Sequence, residues 1–295
     1  MSLRSHGRYD YVPITRRADY AWPGGKRLAV YVGLNLEHFA FGEGLGAELA
    51  PGGPQPDVLN YAWRDYGNRV GAWRLRDLLD ALALPCSALI NTSLYDYCPE
   101  LVAAFRARGD EIVGHGHTNA ERQSVLPEAE ERALIERATA AIRAHEGKPP
   151  AGWLGPWIAQ SHATPDLLKE CGYAYVLDWC HDDQPGWLRT RAGPLLAVPY
   201  PQELNDIPAI AVRRTAADTF ADMIVDNFDE MLAQSSAQPL VMGIALHAYI
   251  VGQPFRLRHL RRALRHVAQH RDVAWLTTAG AIAAHVAALP EGTVR

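Results

Sequence analysis

The chain has 295 residues, of which 48% are hydrophobic and 21% charged, and its formal net charge is −4. This composition is typical of a globular protein, and the acidic balance argues against partners such as nucleic acid or an anionic membrane. Four scattered cysteines cannot form a disulfide scaffold, and no apolar run reaches the roughly 20 residues of a membrane-spanning helix. The N-terminus lacks the apolar core of a signal peptide, so we expect a cytoplasmic protein.

Short apolar runs alternate with amphipathic stretches along the chain, after an N-terminal arm of about 1–26. The apolar runs predict strands, several buried on both faces, at 28–35, 87–92, 111–114, 175–179, 195–199, 241–247 and 273–276. The amphipathic stretches predict helices at 70–83, 99–108, 127–145, 165–171, 216–233 and 255–270. Such alternation is typical of an α/β protein with parallel strands, either closed or open, in one domain covering 1–295.

A long irregular insertion, 43–59, follows the first predicted strand. In an α/β barrel such a loop lies at the C-terminal face, where ligands bind. Its glycines do not form a GxGxxG pattern, and the chain has neither a GK[ST] phosphate loop nor a GxSxG nucleophile elbow. The sequence therefore argues against a nucleotide-binding loop and against a serine hydrolase.

Titratable side chains collect where four of the predicted strands end, at Glu37 and His38, His115 and His117, Asp178 to Asp183, and His247. The carboxyl ends of parallel strands meet at one edge of a sheet, where α/β proteins place their chemistry. Taken alone, each group could simply be the polar beginning of a loop. Thr118 and Glu121 match the pattern of a helix capping box. His247 is harder to explain in this way, because it ends the apolar strand VMGIALH, where an unpaired imidazole is costly.

Four segments together carry a family resemblance: the opening WPGGKRLAV, the stretch YGNRVGAWRLRDLLD, the HG strand end, and LHAYIVGQPFRLRHL. From about residue 22 to 276 the chain resembles the polysaccharide deacetylase (NodB-homology) family. It is most similar to the branch of metal-independent allantoinases. The resemblance implies an irregular (β/α)7 barrel of the glycoside hydrolase/deacetylase type.

The resemblance also bears on whether the protein binds a metal ion. The family's first motif is an aspartate pair, a general base and a metal ligand, and the matching positions are Glu37 and His38. Its second motif is a histidine pair, matched here by His115 and Asn119. His38 and His115 could therefore bind a divalent ion such as zinc, but with Asn119 they form a weak donor set. We expect either no cofactor or one divalent metal ion.

The remaining motifs imply the catalytic roles. By resemblance His247 is the general acid, Glu37 the general base, and Asp178 or Asp182 the group that orients one of them. The third motif normally carries an arginine, but Leu154 stands at that position. The implied reaction is hydrolysis of a carbon–nitrogen bond other than a peptide bond.

The expected substrate is a small molecule, such as a cyclic ureide or an acylated amine, held by Trp157, Trp179, His117 and Asn119. Two alternatives stay open. One is a metal-dependent deacetylase of an N-acetylated carbohydrate, and the other is a binding protein that has lost catalysis. We also expect a homo-oligomer.

Overall fold

A curled sheet of mostly parallel strands forms the centre of the computed structural model, which describes residues 5–42 and 56–295. The strands are β1 Leu28–Leu36, β2 Cys86–Ile90, β3 Glu111–Gly114, β4 Gly152–Trp153, β5 Tyr175–Val176, β6 Gly186–Leu188, β7 Leu195–Ala197, β8 Leu240–His247 and β9 Ala274–Thr277. Their order is β6-β7-β5-β4-β3-β2-β1-β8, and β9 also pairs with β1. Only the β6–β7 pair is antiparallel among these strands. The predicted α/β class is confirmed.

Helices surround the sheet. They are α1 Val58–Tyr66, α2 Ala72–Ala81, α3 Leu94–Tyr97, α4 Pro99–Ala107, α5 Glu128–Glu146, α6 Thr164–Glu170, α7 Ala217–Gln234, α8 Ala248–Val251, α9 Pro254–Gln269 and α10 Ala279–Ala287. In α9 the stripe of Leu257, Leu260, Leu264 and Val267 is buried, as the periodicity predicts, but Phe255 in the first turn is 61% exposed. No helix of the described ranges combines the length and apolar character needed to span a bilayer.

Several elements differ from the sequence-based prediction. The strand predicted at 175–179 ends at Val176, and the two-residue β4 and the antiparallel β6 were not predicted. Residues 43–55 of the predicted insertion lie outside the described residues, and the end of the insertion begins α1. There the Asp57 carboxylate accepts the backbone N–H of Asn60 at 3.1 Å, which caps the helix.

The register of the central strands aligns their carboxyl ends. Asn35 of β1 lies opposite His247 of β8, Leu36 lies opposite Ile90 of β2, and Ile90 lies opposite Gly114 of β3. Strand β1 is buried along its whole length, because neighbouring strands and helices cover both faces. The residues that follow β1, β3 and β8 therefore emerge side by side.

A close backbone contact fixes α1 above this edge of the sheet. A π-helical turn, Gly67–Gly71, joins α1 to α2 and packs against α8. A Cβ atom on Gly71 would lie 2.0 Å from the carbonyl oxygen of Ala248, so no larger residue fits there. Because α8 directly follows His247, this contact ties α1 to the end of β8.

The described part of the N-terminal arm is bound to the body of the protein by two arginines. Arg8 forms a bidentate ion pair with Asp166, with N–O distances of 2.8 and 2.7 Å. Arg17 pairs with Asp182 at 2.6 and 2.5 Å. The arm therefore covers the segments around α6 and before β6.

Candidate active site

The carboxylate of Glu37 lies between two histidines at the carboxyl edge of the sheet. Its Oε1 atom is 3.5 Å from Nε2 of His247 and 3.6 Å from Nε2 of His115. All three side chains are almost completely buried. The structure thus brings together one residue from the end of each of β1, β3 and β8, as the strand-end pattern predicts.

His247 is held by a carboxylate that the sequence did not reveal. Oδ1 of Asp206 lies 2.6 Å from Nδ1 of His247, and its Oδ2 accepts the backbone N–H of the same residue at 2.8 Å. Asp206 is completely buried. These contacts place the proton on Nδ1 and leave Nε2 facing Glu37, so that Asp206, His247 and Glu37 form a continuous chain.

His115 has a fixed tautomer as well. Its Nδ1–H donates to the carbonyl oxygen of Leu154 at 2.7 Å, which leaves Nε2 to face Glu37. In the neutral imidazole Nε2 can only accept a hydrogen bond. In that form His115 can accept a hydrogen bond from a bound water, whereas in the imidazolium its Nε2–H faces Glu37 and can also donate to a substrate carbonyl.

Electrostatic interactions give Glu37 and His247 opposite charges. Burial opposes the charge on Glu37, but the positive charge of His247, then the interaction with His115 and, least of these, the charge of Arg64 outweigh it, so the pKa of Glu37 lies below its usual value. Burial likewise opposes the charge on His247, but the carboxylates of Asp206 and Glu37 raise its pKa. Glu37 is therefore a carboxylate, and His247 an imidazolium, across a window that includes mildly acidic pH.

A narrow crevice opens beside Glu37. It is lined by residues from the end of β1 and from α1 with its following turn, namely Glu37, His38, Phe39, Tyr61, Arg64, Asp65 and Asn68. Arg64 and Asn68 were not among the predicted site residues. The Asn68 amide donates to the Glu37 carbonyl at 2.8 Å and so fixes the backbone of the central carboxylate.

The predicted metal ligands do not form a metal site in this geometry. His38 directs Nδ1 to the Ser93 hydroxyl at 2.9 Å, and its ring stacks on Tyr97 at 4.4 Å. His115 uses one ring nitrogen on Leu154 and turns the other to Glu37. Within 5–42 and 56–295, no three His, Cys, Asp or Glu side chains converge as a metal cluster would require. The donor set does not fit a divalent ion, and no step below is assigned to one.

Asn119 and Trp157, both predicted to bind substrate, lie against each other. The indole N–H of Trp157 donates to the backbone oxygen of Asn119 at 2.7 Å, and the backbone N–H of Asn119 donates to the carbonyl of His38 at 2.8 Å. Trp157 has a φ of 64°, a conformation that costs a bulky residue energy and often marks a functional position. Oδ1 of Asn119 is buried and finds no hydrogen-bond partner within the described residues.

His117 and Trp179 lie further from the central carboxylate. His117 is exposed, with Nδ1 on the Thr92 hydroxyl at 3.0 Å, and its backbone N–H donates to Glu121. Glu121 does not complete the predicted capping box, because no α-helix starts there. The Trp179 indole donates to Gln160 at 3.1 Å and packs edge-on against Tyr9 of the arm.

The expected orienting contact from Asp178 or Asp182 is not present. Asp178 is buried, accepts the Gly155 N–H at 2.7 Å and bonds to Gln160. Burial raises the pKa of its carboxyl to about 6. Asp182 is bound to Arg17 of the arm. Among the described residues neither carboxylate hydrogen-bonds to His115 or His247, although the charge of His115 acts on the Asp178 carboxyl and lowers its pKa in part. The carboxylate that hydrogen-bonds to His247 is Asp206, and the roles of Asp178 and Asp182 stay predictions.

The Asp182→Asn variant tests whether Asp182 takes part in catalysis. We expect kcat to change by less than about twofold. We also expect the free energy of unfolding to fall by about 1 kcal/mol, because the variant loses a partly buried ion pair with the arm. Steady-state kinetics and chemical unfolding measure the two quantities. A tenfold loss of kcat in a folded variant would return Asp182 to the catalytic centre.

Comparison with known proteins identifies the fold and its family. The family model for polysaccharide deacetylases matches residues 60–176. A solved "probable polysaccharide deacetylase" from Pseudomonas aeruginosa PAO1 superposes with a TM-score of 0.80 at 27% identity, over 90% of this chain and 92% of that one. The match assigns a polysaccharide deacetylase domain to residues 60–176. The whole chain also superposes on PuuE allantoinase with a TM-score of 0.82 at 26% identity, over 97% of both chains.

A peptidoglycan deacetylase of Helicobacter pylori is 21% identical to this chain over 244 residues, 72% of this chain and 82% of that protein. Members of the family are hydrolases that act on carbon–nitrogen bonds other than peptide bonds, so the predicted enzyme class is confirmed. The superpositions also confirm the predicted barrel-type fold.

Proposed function

We propose that this protein hydrolyses a carbon–nitrogen bond in a small ureide or acylated amine, with Glu37 as general base and His247 as general acid. The observation that carries this proposal is the position of the Glu37 carboxylate between two imidazole Nε2 atoms, at 3.5 and 3.6 Å. A carboxylate beside an imidazolium is the protonation pattern that base-then-acid hydrolysis needs.

The steps follow from the hydrogen-bond geometry. Glu37 can accept one O–H group of the attacking water, and the neutral form of His115 can accept the other at Nε2. Glu37 takes one proton as the water oxygen forms its bond to the substrate carbonyl carbon. His247 then donates its Nε2 proton to the nitrogen as the carbon–nitrogen bond breaks. Because Glu37 and His247 are 3.5 Å apart, the proton on Glu37 can return to His247 and restore both groups.

The shape of the site supports a ureide. Asn119 offers a buried Oδ1 acceptor, which suits an N–H group next to the reacting carbonyl. Phe39 and Trp157, whose rings meet edge-on at 6.3 Å, offer apolar surface for a flat ring. The similarity to PuuE allantoinase over nearly the whole of both chains supports the same substrate class.

An N-acetylated carbohydrate is the second candidate. The match to the polysaccharide deacetylase model and the Helicobacter pylori relative support it. The weak donor set at His38, His115 and Asn119 counts against a metal-dependent form of that reaction. A binding protein without catalysis is the third candidate, but the buried chain from Asp206 to Glu37 would then serve no purpose that offsets its desolvation cost.

A substrate panel tests the proposal. We would incubate the purified protein with allantoin and, separately, with oligomers of N-acetylglucosamine, and measure allantoate by chromatography and acetate by a coupled assay. Ring opening of allantoin that disappears in the Glu37→Gln variant supports the ureide assignment. Acetate release alone would replace it with the carbohydrate assignment, and binding without product from either substrate would favour the non-catalytic protein.

A further inference from the structure

A single peptide group connects His115 to a second buried carboxylate. The carbonyl oxygen of Leu154 lies 2.7 Å from Nδ1 of His115, and the N–H of the same peptide, on Gly155, donates to Oδ1 of Asp178 at 2.7 Å. The C=O and N–H bonds of a trans peptide point in opposite directions, so the imidazole and the carboxylate lie on opposite sides of one peptide plane. Both side chains are buried. Two hydrogen bonds in series thus join His115 to Asp178.

Hydrogen bonds in series strengthen one another in a buried environment. A carboxylate that accepts the Gly155 N–H polarises the peptide and makes the Leu154 carbonyl oxygen a stronger acceptor for the Nδ1–H group of His115. Burial raises the pKa of Asp178 to about 6, and the interaction with His115 is among those that oppose this rise, which is consistent with the short connection. The charge of Asp178 therefore favours the tautomer of His115 that carries its proton on Nδ1.

Glu37 acts on the same proton from the other side of the imidazole. Its Oε1 lies 3.6 Å from Nε2 of His115, so this carboxylate favours the tautomer with the proton on Nε2. A proton there would make Nε2 a donor, and His115 could no longer accept a hydrogen bond from the attacking water. Nε2 is buried and has no hydrogen-bond partner within the described residues, which is what an acceptor for a bound molecule requires. The position of this proton thus depends on two competing carboxylates.

We propose that Asp178 is a positioning residue that acts on His115 through the Leu154–Gly155 peptide, holds the imidazole proton on Nδ1, and keeps Nε2 an acceptor for the attacking water. This inference rests on the proposed function, because it assigns Asp178 a part in orienting the water that Glu37 activates. The group on which Asp178 acts is His115, whereas the resemblance implied an action on the acid–base pair itself.

A purely structural role makes different predictions. Asp178 also binds the side-chain amide of Gln160, whose oxygen accepts the indole N–H of Trp179 at 3.1 Å. If Asp178 only held these groups and the turn at Gly155, Asp178→Asn would change stability but not the proton of His115. The reason is that asparagine keeps an acceptor oxygen for the Gly155 N–H. If the negative charge matters, the distribution of the proton over the two ring nitrogens of His115 should change.

The experiment measures the tautomers of His115 by long-range ¹H–¹⁵N NMR of the ¹⁵N-histidine-labelled chain without substrate. It is carried out at about pH 8, where a carboxyl with a pKa of about 6 is ionised. The His115 signals are assigned by their loss in His115→Gln, and we expect the Nδ1–H form to predominate in wild type. In Asp178→Asn the ratio of Nδ1–H to Nε2–H should fall about two- to tenfold, as follows from a cooperative strengthening of about 10–30% in a buried hydrogen bond.

Gln160→Met is the matched control, because it removes the other side-chain hydrogen bond of Asp178 and leaves the connection through the peptide intact. Its His115 signals should match those of wild type. If Asp178→Asn does not fold, the double variant Asp178→Asn/Gln160→Met replaces it and is compared with Gln160→Met, since methionine places no donor opposite the new NH₂ group.

Steady-state kinetics with allantoin provides the second readout. In Asp178→Asn kcat should fall by the fraction of the Nδ1–H form that is lost, with KM nearly unchanged and the alkaline limb set by His247 in place. An unchanged tautomer ratio in the folded variant would overturn the proposal, as would an equal change in Gln160→Met or an imidazolium at His115 in wild type at this pH. If wild type hydrolyses nothing, the proposed function fails, but the NMR comparison still decides whether Asp178 controls the proton on His115.

Discussion

The Glu37→Gln variant should fold normally and lose hydrolysis, with kcat reduced about 1,000-fold or more. General-base catalysis by a positioned carboxylate contributes roughly 100- to 10,000-fold, and an amide of the same size cannot accept the proton of the attacking water. The backbone of residue 37 stays fixed by Asn68. Folding should therefore be retained, because glutamine has the same shape and Asp206 still balances the charge of the His247 imidazolium.

The Glu37→Asp variant is the matched control. It keeps a carboxylate but withdraws it by one methylene from the position between His115 and His247. We expect partial activity, well above that of Glu37→Gln. Steady-state kinetics with the substrate found in the panel, together with thermal unfolding of both variants, measures the effect. Equal kcat in wild type and Glu37→Gln would remove Glu37 from the role of base.

The central part of the site could be predicted because it follows from strand order. Glu37 and His115 each directly follow an apolar run, and His247 is the last residue of one. Each of these runs predicts a buried strand. In a parallel sheet these ends share one edge, and the register of β8, β1, β2 and β3 brings them together. Local sequence therefore contains enough information to find the three residues, although not their distances.

Asp206 and Arg64 could not be found in the same way, because tertiary contacts position them. Asp206 lies in an irregular segment that pairs with β8 through a single bridge between Asn205 and Ala245. That bridge carries the carboxylate to the end of β8, but no periodicity marks it in the sequence. Arg64 lies on α1, which falls almost entirely between the predicted insertion at 43–59 and the predicted helix at 70–83, so no element was predicted there and the face of α1 could not be assigned.

Asp182 illustrates the opposite case. The run DWCHDD follows an apolar stretch in the same manner as the true site residues, yet its second aspartate binds Arg17 of the N-terminal arm. A strand-end carboxylate and an anchor for a distant segment look alike in sequence, because the partner lies 165 residues away. Only the folded arrangement distinguishes them.

The Asp206→Asn variant should reduce kcat about 100-fold or more at neutral pH, and its alkaline limb should move to lower pH. Asp206 accepts two N–H groups of His247, at 2.6 and 2.8 Å, whereas asparagine has only one acceptor oxygen. One of these donors must then face an NH₂ group, which disturbs the imidazole. The charge of Asp206 also raises the pKa of His247, so its removal lowers that pKa and leaves less imidazolium to protonate the leaving nitrogen.

The sign of the shift separates this role from a general loss of packing. The general acid must be protonated, so a lower His247 pKa shortens the active range from the alkaline side and leaves the acid limb, which reports Glu37, nearly in place. Asp178→Asn is the matched control, because it also neutralises a buried carboxylate, but one that bonds to Gly155 and Gln160 rather than to a histidine. Its alkaline limb should coincide with that of wild type. An alkaline limb that moves equally in both variants would mean that Asp206 does not act specifically through His247.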